Sequence, residues 1–429
     1  MAAVTFLFGG FLLVKGYMDA RNIFKGGSAG AAALQEDVDP SLLKGEGDGR
    51  INILLLGKGG LEHTGGDLTD TLLIASIDPI QKEASLLSIP RDLYVETPNL
   101  GAMKVNAVYA TTKQEAITGS ETAEQLAKIE NRAIESTQKV LEESMGIPIH
   151  YYTMVDFEAF RLAINTVGGV NIDVKEQLYD QSIAWENNNN PLIAAEGQQT
   201  FDGKRALLYA RSRYGSERGD FDRGVRQRQI IVGLKEKVLS SGTLSNPLKI
   251  SQLVQTFGGH AQTNMSIQEL TRLYEIAKDI DTSKVVSIGL SDPPNDYVTT
   301  DFVAGQSVVV PRAGLYEYKE IKHFVRNSLK DGFIRNENAS IVLLNGSGRE
   351  GLATEKAEEL RSYGYNVTEV ANAPSGNYRQ TMLVDLRGGA NRYTERYLEQ
   401  RFRINAVSNL PDAAIQPGDA DFVIILGSQ

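Results

Sequence analysis

Short apolar runs alternate with longer amphipathic stretches along the first part of the chain. Three apolar runs each stop at a turn-forming residue, which is typical of strands buried on both faces: 51–56, 71–77 and 84–89. Residues 122–144 instead carry apolar side chains at the spacing of an amphipathic helix. The next segments are predicted as strand, helix and strand: 149–155, 157–165 and 170–174. This order predicts an α/β fold, with a mixed central sheet covered by helices on both faces.

Further periodic segments complete this domain and predict a second one. A helix over 223–239, a helix that begins at the Ser266–Glu269 capping box and a strand over 285–288 fall within a domain that we place at 50–311. Residues 312–337 are polar and are predicted to be a linker with one short helix. Residues 338–429 are predicted to form a small α+β domain. Its strands and helices are expected at 339–344, 352–363, 367–370, 381–386, 393–402 and 421–426.

The N-terminus is apolar and uncharged from Met1 to Val14. Fourteen helical residues span only about 21 Å, whereas the hydrocarbon core of a bilayer is about 30 Å thick. Because Lys15 can extend its ammonium group to the interface, the apolar segment can continue to residue 18. We therefore expect a transmembrane anchor over 1–18 whose natural beginning precedes Met1; the alternative is a buried N-terminal core helix. Residues 19–49 are predicted to be a flexible tether.

Arginines are concentrated between residues 204 and 228. Leu207, Tyr209, Arg211 and Arg213 alternate along the sequence, which predicts a strand with both arginines on one face. After Gly219 the period becomes helical. A single stripe of the predicted helix then carries these residues: Arg223, Arg226, Ile230, Leu234 and Val238.

Two arginines in line with an apolar stripe predict charge on a buried face, where it needs a fixed counter-charge. A planar guanidinium suits phosphate oxygens, and four converging groups suit a pyrophosphate better than a carboxylate. We therefore favour an inward-facing anion site. The alternative is a basic surface whose arginines pair with nearby carboxylates: Glu217, Asp220 and Asp222.

Composition narrows the class of function. The formal net charge is −10 and the isoelectric point is near 5.2, which argues against nucleic acid as the main partner. The chain has no cysteine, which excludes disulfides and thiol catalysis. Residues 346–351 spell G-x-G-x-x-G, but the domain is too small for a dinucleotide fold, so we interpret this motif as a tight turn.

Three blocks of sequence resemble the LytR-CpsA-Psr family over about 50–311. They are NILLLG with DLTDTLLIASIDP, LLSIPRDLYV with MKVNAVYA, and YARSRYGSERGDFDRGVRQRQ. The last ninety residues are similar to the LytR C-terminal domain through IVLLNGSGREGLA and GYNV. The family consists of membrane-anchored ligases that transfer an anionic glycopolymer from a polyprenyl-pyrophosphate carrier to peptidoglycan.

The resemblance implies roles for individual residues. Asp70 corresponds to a carboxylate that holds Mg²⁺. The pyrophosphate ligands, which we assign together with Asp92 as catalytic residues, are Arg91, Arg211, Arg213, Arg223 and Arg226. Lys104, Asn106 and Gln227 match supporting positions, which we assign to substrate binding.

Two departures from the family pattern concern the metal. Leu68 stands where the family often has arginine, and residues 58–60 (Lys-Gly-Gly) stand where it often has Asp-x-Arg. The usual second metal carboxylate is therefore absent from its place. Asp67 or His63, in the same loop, is the predicted replacement.

These features lead to three hypotheses. The first is a Mg²⁺-dependent phosphotransferase at the outer face of the cell membrane, with a polyprenyl-pyrophosphate-linked glycan as donor, peptidoglycan as acceptor and an extracytoplasmic catalytic domain. Asp92 or Asp70 would assist deprotonation of the acceptor hydroxyl. The second is a non-catalytic polyprenyl-phosphate carrier or cell-wall scaffold, which the missing carboxylate favours. The third, a DNA-binding transcriptional attenuator, is disfavoured by the acidic charge and the anchor.

Overall fold

A six-stranded mixed sheet forms the centre of the larger domain. The computed structural model describes residues 30–60, 65–240, 260–374 and 378–429. The sheet order is β11-β6-β1-β2-β3-β12, with parallel β1–β6 and β3–β12 pairs and antiparallel pairs elsewhere. Its strands are β1 (Ile51–Lys58), β2 (Thr69–Asp78), β3 (Glu83–Ser88), β6 (Tyr151–Asp156), β11 (Ala261–Thr263) and β12 (Val285–Gly289).

Short two-stranded ribbons surround this sheet. Their strands are β4 (Tyr94–Thr97) with β5 (Gly101–Lys104), β7 (Val170–Val174) with β10 (Gly197–Phe201), β8 (Leu178–Tyr179) with β9 (Leu192–Ala194), and β13 (Val298–Val303) with β14 (Gln306–Pro311). The helices of the larger domain are α1 (Ala107–Ala116), α2 (Ala123–Met145), α3 (Phe157–Thr166), α4 (Gly203–Arg211), α5 (Asp220–Ser240) and α6 (Ile267–Lys278).

The C-terminal part has a four-stranded sheet of its own, ordered β16-β15-β18-β17. Its strands are β15 (Ser340–Asn345), β16 (Asn366–Asn372), β17 (Met382–Asp385) and β18 (Phe422–Leu426). The last four helices are α7 (Lys319–Ser328), α8 (Gly332–Glu337), α9 (Leu352–Tyr363) and α10 (Arg392–Phe402).

Local sequence signals account for most of these elements. The Thr122 hydroxyl accepts a hydrogen bond from Gln125 N at 3.3 Å, while the Gln125 side chain accepts from Thr122 N, so a capping box begins α2. Gly146, with φ +71°, ends the helix in the left-handed conformation that glycine adopts readily. The predicted capping box at Ser266 likewise begins α6.

The strand predicted around Leu207–Arg213 is wrong, because residues 203–211 form α4. The Asp202 carboxylate caps this helix by accepting from Arg205 N at 2.8 Å. The following residues, Lys-Arg-Ala-Leu-Leu-Tyr-Ala-Arg, are mostly good helix formers. The helix brings Leu208 and Tyr209 into an apolar cluster with β7, and Arg211 becomes its last residue.

Both faces of the central sheet are covered, as predicted. Alternate residues of β1 and β2 pack on one face against α1 and α2, in a cluster that includes Leu54, Leu56, Ile74, Val108 and Ile134. The opposite face packs against α6, the segment from residue 31 to residue 43 and the C-terminal sheet, in a cluster that includes Ile51, Ile53, Ile276, Ile341 and Phe422. One apolar core therefore continues from the larger domain into the C-terminal domain.

Two segments predicted as connections belong to this folded body. The described part of the predicted tether, residues 30–49, contains the 3-10 helices Ala32–Leu34 and Pro40–Leu42 and buries Val38 and Leu43. The predicted linker forms α7 and α8 and buries Ile321 and Phe333. Both segments are polar on average, so composition did not predict that their few apolar side chains would be buried.

The predicted anchor over 1–18 lies outside the residues that the structure describes. Within the described ranges, no helix combines the length and the apolar character that a membrane crossing requires.

Candidate functional site

The predicted site residues meet where several elements begin or end. Asp70 lies near the start of β2, opposite the point where the β1–β2 register shifts between Gly57 and Lys58. Arg91 and Asp92 follow β3 directly after Pro90. The first turn of α5 supplies Arg223. The turn between β5 and α1 completes the site, because Asn106 N donates to the Arg91 carbonyl at 3.2 Å.

The Asp70 carboxylate is at the centre of this arrangement. Its Oδ1 accepts from Arg91 Nη1 at 2.9 Å and from Asn106 Nδ2 at 3.0 Å. Its Oδ2 lies 3.9 Å from Arg213 Nη2. Arg223 Nη2 donates to the Asp70 carbonyl at 3.0 Å. Three arginines, two of them from one motif and one from after β3, thus converge on one aspartate.

The charges of this group stabilise one another. Burial opposes ionisation of Asp70, but Arg91, Asn106 and Arg223 together lower the pKa of its carboxyl group. Burial likewise opposes the charge of Arg91, while Asp70 and other carboxylates raise the pKa of its guanidinium. Burial lowers the pKa of Arg223 to about 10, so this side chain remains cationic at neutral pH. A compact set of permanent charges therefore occupies the site.

Asp220 and Asp92 hold the arginines in place. Asp220 Oδ2 lies 3.5 Å from Arg91 Nε, and its Oδ1 lies 3.1 Å from Arg223 Nη1. Asp92 Oδ2 lies 3.6 Å from Arg91 Nε, while its Oδ1 pairs with Lys104 Nζ at 2.9 Å. The sequence analysis had named Asp220 only as an ion-pair partner in the alternative interpretation. Its position three residues before Arg223, in the same helical turn, is a local signal for this pair.

Two predicted pyrophosphate ligands have other partners. Arg211 pairs with Glu186, with Nη1 2.9 Å from Oε2, and its guanidinium lies over the Phe157 ring. Arg226 is buried and donates to the Tyr209 carbonyl at 3.1 Å and also to the Ser212 carbonyl. It therefore fixes the end of α4 and the segment that leads to Arg213. The buried arginine predicted from the helical stripe is thus found at Arg226, whereas Arg211 forms an ion pair as in the alternative interpretation.

Gln227 and Arg228 support the same end of α5. Gln227 Nε2 donates to Thr71 Oγ1 at 3.0 Å and to the Ala210 carbonyl at 3.3 Å, which links β2, α4 and α5. Arg228 is 2 % exposed and binds Ser88, Ser287 and Asp292 at the ends of β3 and β12. Sequence reasoning missed this role because Arg228 lies off the stripe that contains Arg223 and Ile230. Its neighbours in the sequence, Gln227 and Gln229, do not indicate that Arg228 binds residues at the end of β3 and in and after β12.

The donor set of the described residues fits one kind of magnesium site. The described residues include no group of three or more His, Cys, Asp or Glu side chains placed to hold a metal ion. Asp70 Oδ1 is engaged by two donors, but Oδ2 has only the distant Arg213 contact. Mg²⁺ commonly takes one or two protein carboxylates and completes its octahedron with phosphate oxygens and water. Asp70 alone therefore fits an ion that arrives with a phosphorylated substrate.

Asp67 does not fit the predicted role of second metal ligand. Its Oδ1 pairs with Lys58 Nζ and its Oδ2 with Lys113 Nζ, both at 3.0 Å. Lys58 stands in the segment where the family often has Asp-x-Arg, so the departure noted in the sequence supplies a cation that neutralises Asp67. His63, the other proposed replacement, lies outside the described residues.

The enclosed part of the site is small. A cavity of about 30 Å³ lies between Asp70, Arg91, Asp220 and Arg223. This volume is enough for one or two water molecules. The cavity is thus too small for a larger ligand, and the more exposed side of the group is the one that carries Arg213, which is 46 % exposed.

Comparisons with known proteins agree with the motifs. The sequence profile of the LytR_cpsA_psr family matches residues 14–312, and that of the LytR cell envelope-related transcriptional attenuator matches residues 338–429. Cell wall biosynthesis protein LcpA of Corynebacterium glutamicum is 28% identical over 347 residues, which cover 74% of this chain and 62% of LcpA.

A second curated relative carries a transferase name. TagV of Bacillus subtilis, named a polyisoprenyl-teichoic acid–peptidoglycan teichoic acid transferase, is 31% identical over 236 residues, which cover 53% of this chain and 54% of TagV. This chain thus spans between half and two thirds of the length of these relatives.

A solved structure shares the fold. TagT bound to LIIa-WTA superposes with a TM-score of 0.51 at 24% identity, over 72% of this chain and 98% of TagT. Since the family profile matches well over half of the chain, and since the structure gathers Asp70, Arg91 and Arg223 from three separate family motifs, the protein belongs to the LytR-CpsA-Psr family.

Proposed function

We propose that this protein transfers an anionic glycopolymer from a polyprenyl-pyrophosphate carrier to peptidoglycan, at the outer face of the cell membrane. The observation that carries the proposal is the convergence of Arg91, Arg213 and Arg223 on Asp70, where Arg213 and Asp70 remain partly exposed. The curated relatives TagU and TagV, which are named as peptidoglycan teichoic acid transferases, support the substrate class. Three guanidinium groups at one place match the oxygens of a diphosphate.

The reaction exchanges a phosphoanhydride bond of the donor for a phosphoester bond to the acceptor. An acceptor sugar hydroxyl attacks the phosphorus that carries the glycan, and the bond from that phosphorus to the bridging oxygen breaks. Lipid monophosphate leaves, and the acceptor retains the glycan through a new phosphodiester. Arg91, Arg213 and Arg223 stabilise the negative charge that accumulates on the leaving phosphate.

A proton must leave the attacking hydroxyl, and two carboxylates are near enough to be considered. The lowered pKa of Asp70 makes it a weak proton acceptor. Asp92 is the better candidate, because its carboxylate pairs with Lys104 on one oxygen and lies farther from Arg91, at 3.6 Å, on the other. Lys104 Nζ, 2.9 Å from Asp92 Oδ1, also holds this carboxylate in position beside Arg91.

Magnesium would enter with the donor. When bound, Mg²⁺ would neutralise diphosphate oxygens, and Asp70 Oδ2 is the protein oxygen placed to hold it. The structure supports negligible affinity of the free protein for Mg²⁺, since the other carboxylates of the site are paired with arginine or lysine.

The test is transfer of glycan from a polyprenyl-pyrophosphate donor to peptidoglycan, measured with and without EDTA. We expect loss of transfer in EDTA and in Asp70→Asn. Asp67→Asn is the matched control, because Asp67 is bound by lysines, and it should retain most of the activity. Activity that persists in chelator and in Asp70→Asn would contradict the metal mechanism.

A second function follows from one specific observation. The described residues hold no multi-carboxylate metal site, so a protein that binds polyprenyl diphosphates without transferring them is the alternative. Tight donor binding with no transfer, with or without Mg²⁺ and with intact sacculi as acceptor, would favour that carrier function.

A further inference from the structure

Three exposed aromatic side chains lie close to the candidate site. Among the described residues, four aromatic side chains are exposed to solvent. Three of them come from one region of the chain: Tyr179, Trp185 and Tyr214. Their exposed fractions are 46 %, 71 % and 63 % respectively. We call these three residues the aromatic surface. Exposed apolar groups that cluster in one place commonly mark a binding site.

The backbone joins the two segments that carry the aromatic surface. Asp180 Oδ2 accepts from Ser212 Oγ at 2.7 Å and from Arg213 N at 3.1 Å. Gly215 passes so close to Tyr179 that a Cβ atom at this glycine would lie 1.8 Å from the Tyr179 carbonyl oxygen. Only glycine fits this approach, which places Tyr179 and Tyr214 on neighbouring segments.

Trp185 is attached to the same region by its neighbour. It lies in the 3-10 helix Gln181–Asn187, which begins directly after Asp180. The adjacent Glu186 pairs with Arg211 at the end of α4. This ion pair therefore ties the tryptophan-bearing helix to the segment that continues into Arg213 and Tyr214. Arg211, which the sequence predicted as a pyrophosphate ligand, thus holds the helix that carries Trp185 against the end of α4.

The aromatic surface is connected to the candidate site through the chain. Arg213, whose Nη2 lies 3.9 Å from Asp70 Oδ2, directly precedes Tyr214. Exposed amide side chains accompany the aromatic rings on the same segment: Gln181, Asn188 and Asn189. A flat apolar ring beside hydrogen-bonding amides suits a pyranose, because a sugar ring has an apolar C–H face and a hydroxyl-bearing edge.

We propose that the aromatic surface binds the glycan strand of the acceptor, an inference that rests on the proposed transfer to peptidoglycan. The donor is held by its diphosphate, for which the arginines already provide charge. The acceptor brings only a sugar hydroxyl to the reaction, so it needs contacts with its rings. An open surface also suits a long polymer that extends beyond the site in both directions, whereas an enclosed pocket would admit only a chain end.

The tryptophan gives a direct measurement, because Trp185 is the only tryptophan in the chain. The full chain is titrated with soluble, uncrosslinked peptidoglycan glycan strands while tryptophan emission is recorded. We expect saturable emission changes in the wild type and roughly fivefold weaker binding in Tyr214→Ala, the loss expected from one aromatic contact. Phe302→Ala is the control, because Phe302 is equally exposed, at 71 %, but lies on the β13–β14 hairpin. It should bind as the wild type does.

The outcomes separate this inference from the proposed function. If tryptophan emission does not change with glycan strands, the proposal that the aromatic surface binds the acceptor is wrong. The proposal is also wrong if Phe302→Ala and Tyr214→Ala weaken strand binding equally. An emission change with the lipid-linked donor but none with glycan strands would assign the surface to the donor and also overturn the inference. Saturable strand binding that Tyr214→Ala weakens, in a protein that performs no transfer, would contradict the proposed function and leave the aromatic surface in place.

Discussion

At the scale of single residues, arginines of the same motif have different environments. Arg213 is 46 % exposed and faces Asp70, whereas Arg226 is 6 % exposed and donates to backbone carbonyls. An exposed guanidinium can exchange its water for phosphate oxygens at little structural cost. Arg226 cannot exchange its partners in this way, because two carbonyl groups, those of Tyr209 and Ser212, would lose their donor.

This contrast predicts that one alanine substitution lowers stability, whereas the other weakens donor binding. Arg226→Ala should lower the free energy of unfolding by about 2–3 kcal/mol, since it leaves buried carbonyl oxygens without donors. Arg213→Ala should leave stability nearly unchanged and weaken binding of the diphosphate donor by about 1.5–3 kcal/mol. Urea unfolding and donor-binding isotherms, measured on both variants, check the prediction. Equal destabilisation by the two substitutions would contradict it.

The pKa of Asp70 predicts a pH dependence of stability. Its carboxyl group has a lower pKa in the folded chain than the value of about 3.9 expected when unfolded, so ionisation favours the folded state. This stabilisation is complete above the unfolded value and is lost as the pH falls through the folded value. The melting temperatures of wild type and Asp70→Asn should therefore differ by a constant amount from pH 5 to 8 and converge in stronger acid. A difference that grows in acid would contradict the assignment.

At the scale of elements, the arginine region shows how a cap can decide between two periodicities. Tyr209, Arg211 and Arg213 alternate as a strand does, but Asp202 supplies a carboxylate to the first free N–H groups of a helix. Helix α4 also places Leu208 and Tyr209 in a core with Phe201, which a strand of this register would not do. The alternation was therefore a coincidence of spacing.

The cap can be tested by removing it. Asp202→Ala should reduce stability by about 0.5–2 kcal/mol, because Arg205 N loses its acceptor. Glu196→Ala, at an exposed position shortly before the helix, is the matched control and should have little effect. Thermal unfolding of both variants provides the measurement. No difference between them would mean that packing alone maintains α4.

At the scale of the whole molecule, the C-terminal domain and the larger domain are joined through residues 45–50 and α8. Asp331 is 2 % exposed, and each of its carboxylate oxygens accepts two backbone N–H groups. Oδ2 accepts from Gly47 and Gly49, and Oδ1 accepts from Phe333 and Ile334. One carboxylate thus joins the segment before β1 to the start of α8.

Replacing this carboxylate by an amide should destabilise the molecule. In Asp331→Asn the amide nitrogen cannot accept, so two buried N–H groups lose their partner, at a cost of about 2–4 kcal/mol. Asp301→Asn, an exposed carboxylate on the β13–β14 hairpin, serves as the control. The free energy of unfolding and protease resistance near residue 331 would be compared. Wild-type stability in Asp331→Asn would show that this carboxylate does not contribute to holding the two domains together.

Much of the fold was determined by local sequence. The apolar runs at 51–56, 71–77 and 84–89 correctly predicted strands, and the helical spacing of 122–144 and the capping box at Ser266 correctly predicted helices, since these signals depend on near neighbours along the chain. The motifs containing Asp70, Arg91 and Arg223 likewise predicted residues that the structure brings into contact.

The tertiary structure alone decided which partner each charged or apolar group has. Glu186 forms an ion pair with Arg211, and Lys58 and Lys113 form ion pairs with Asp67. The few apolar residues of 30–49 pack in a core between the two sheets. These contacts join residues that do not belong to one helix or one strand, so no local period or cap encodes them. Charge is satisfied by whichever counter-charge the folded chain brings near, and composition alone did not distinguish a tether from a segment whose few apolar side chains are buried.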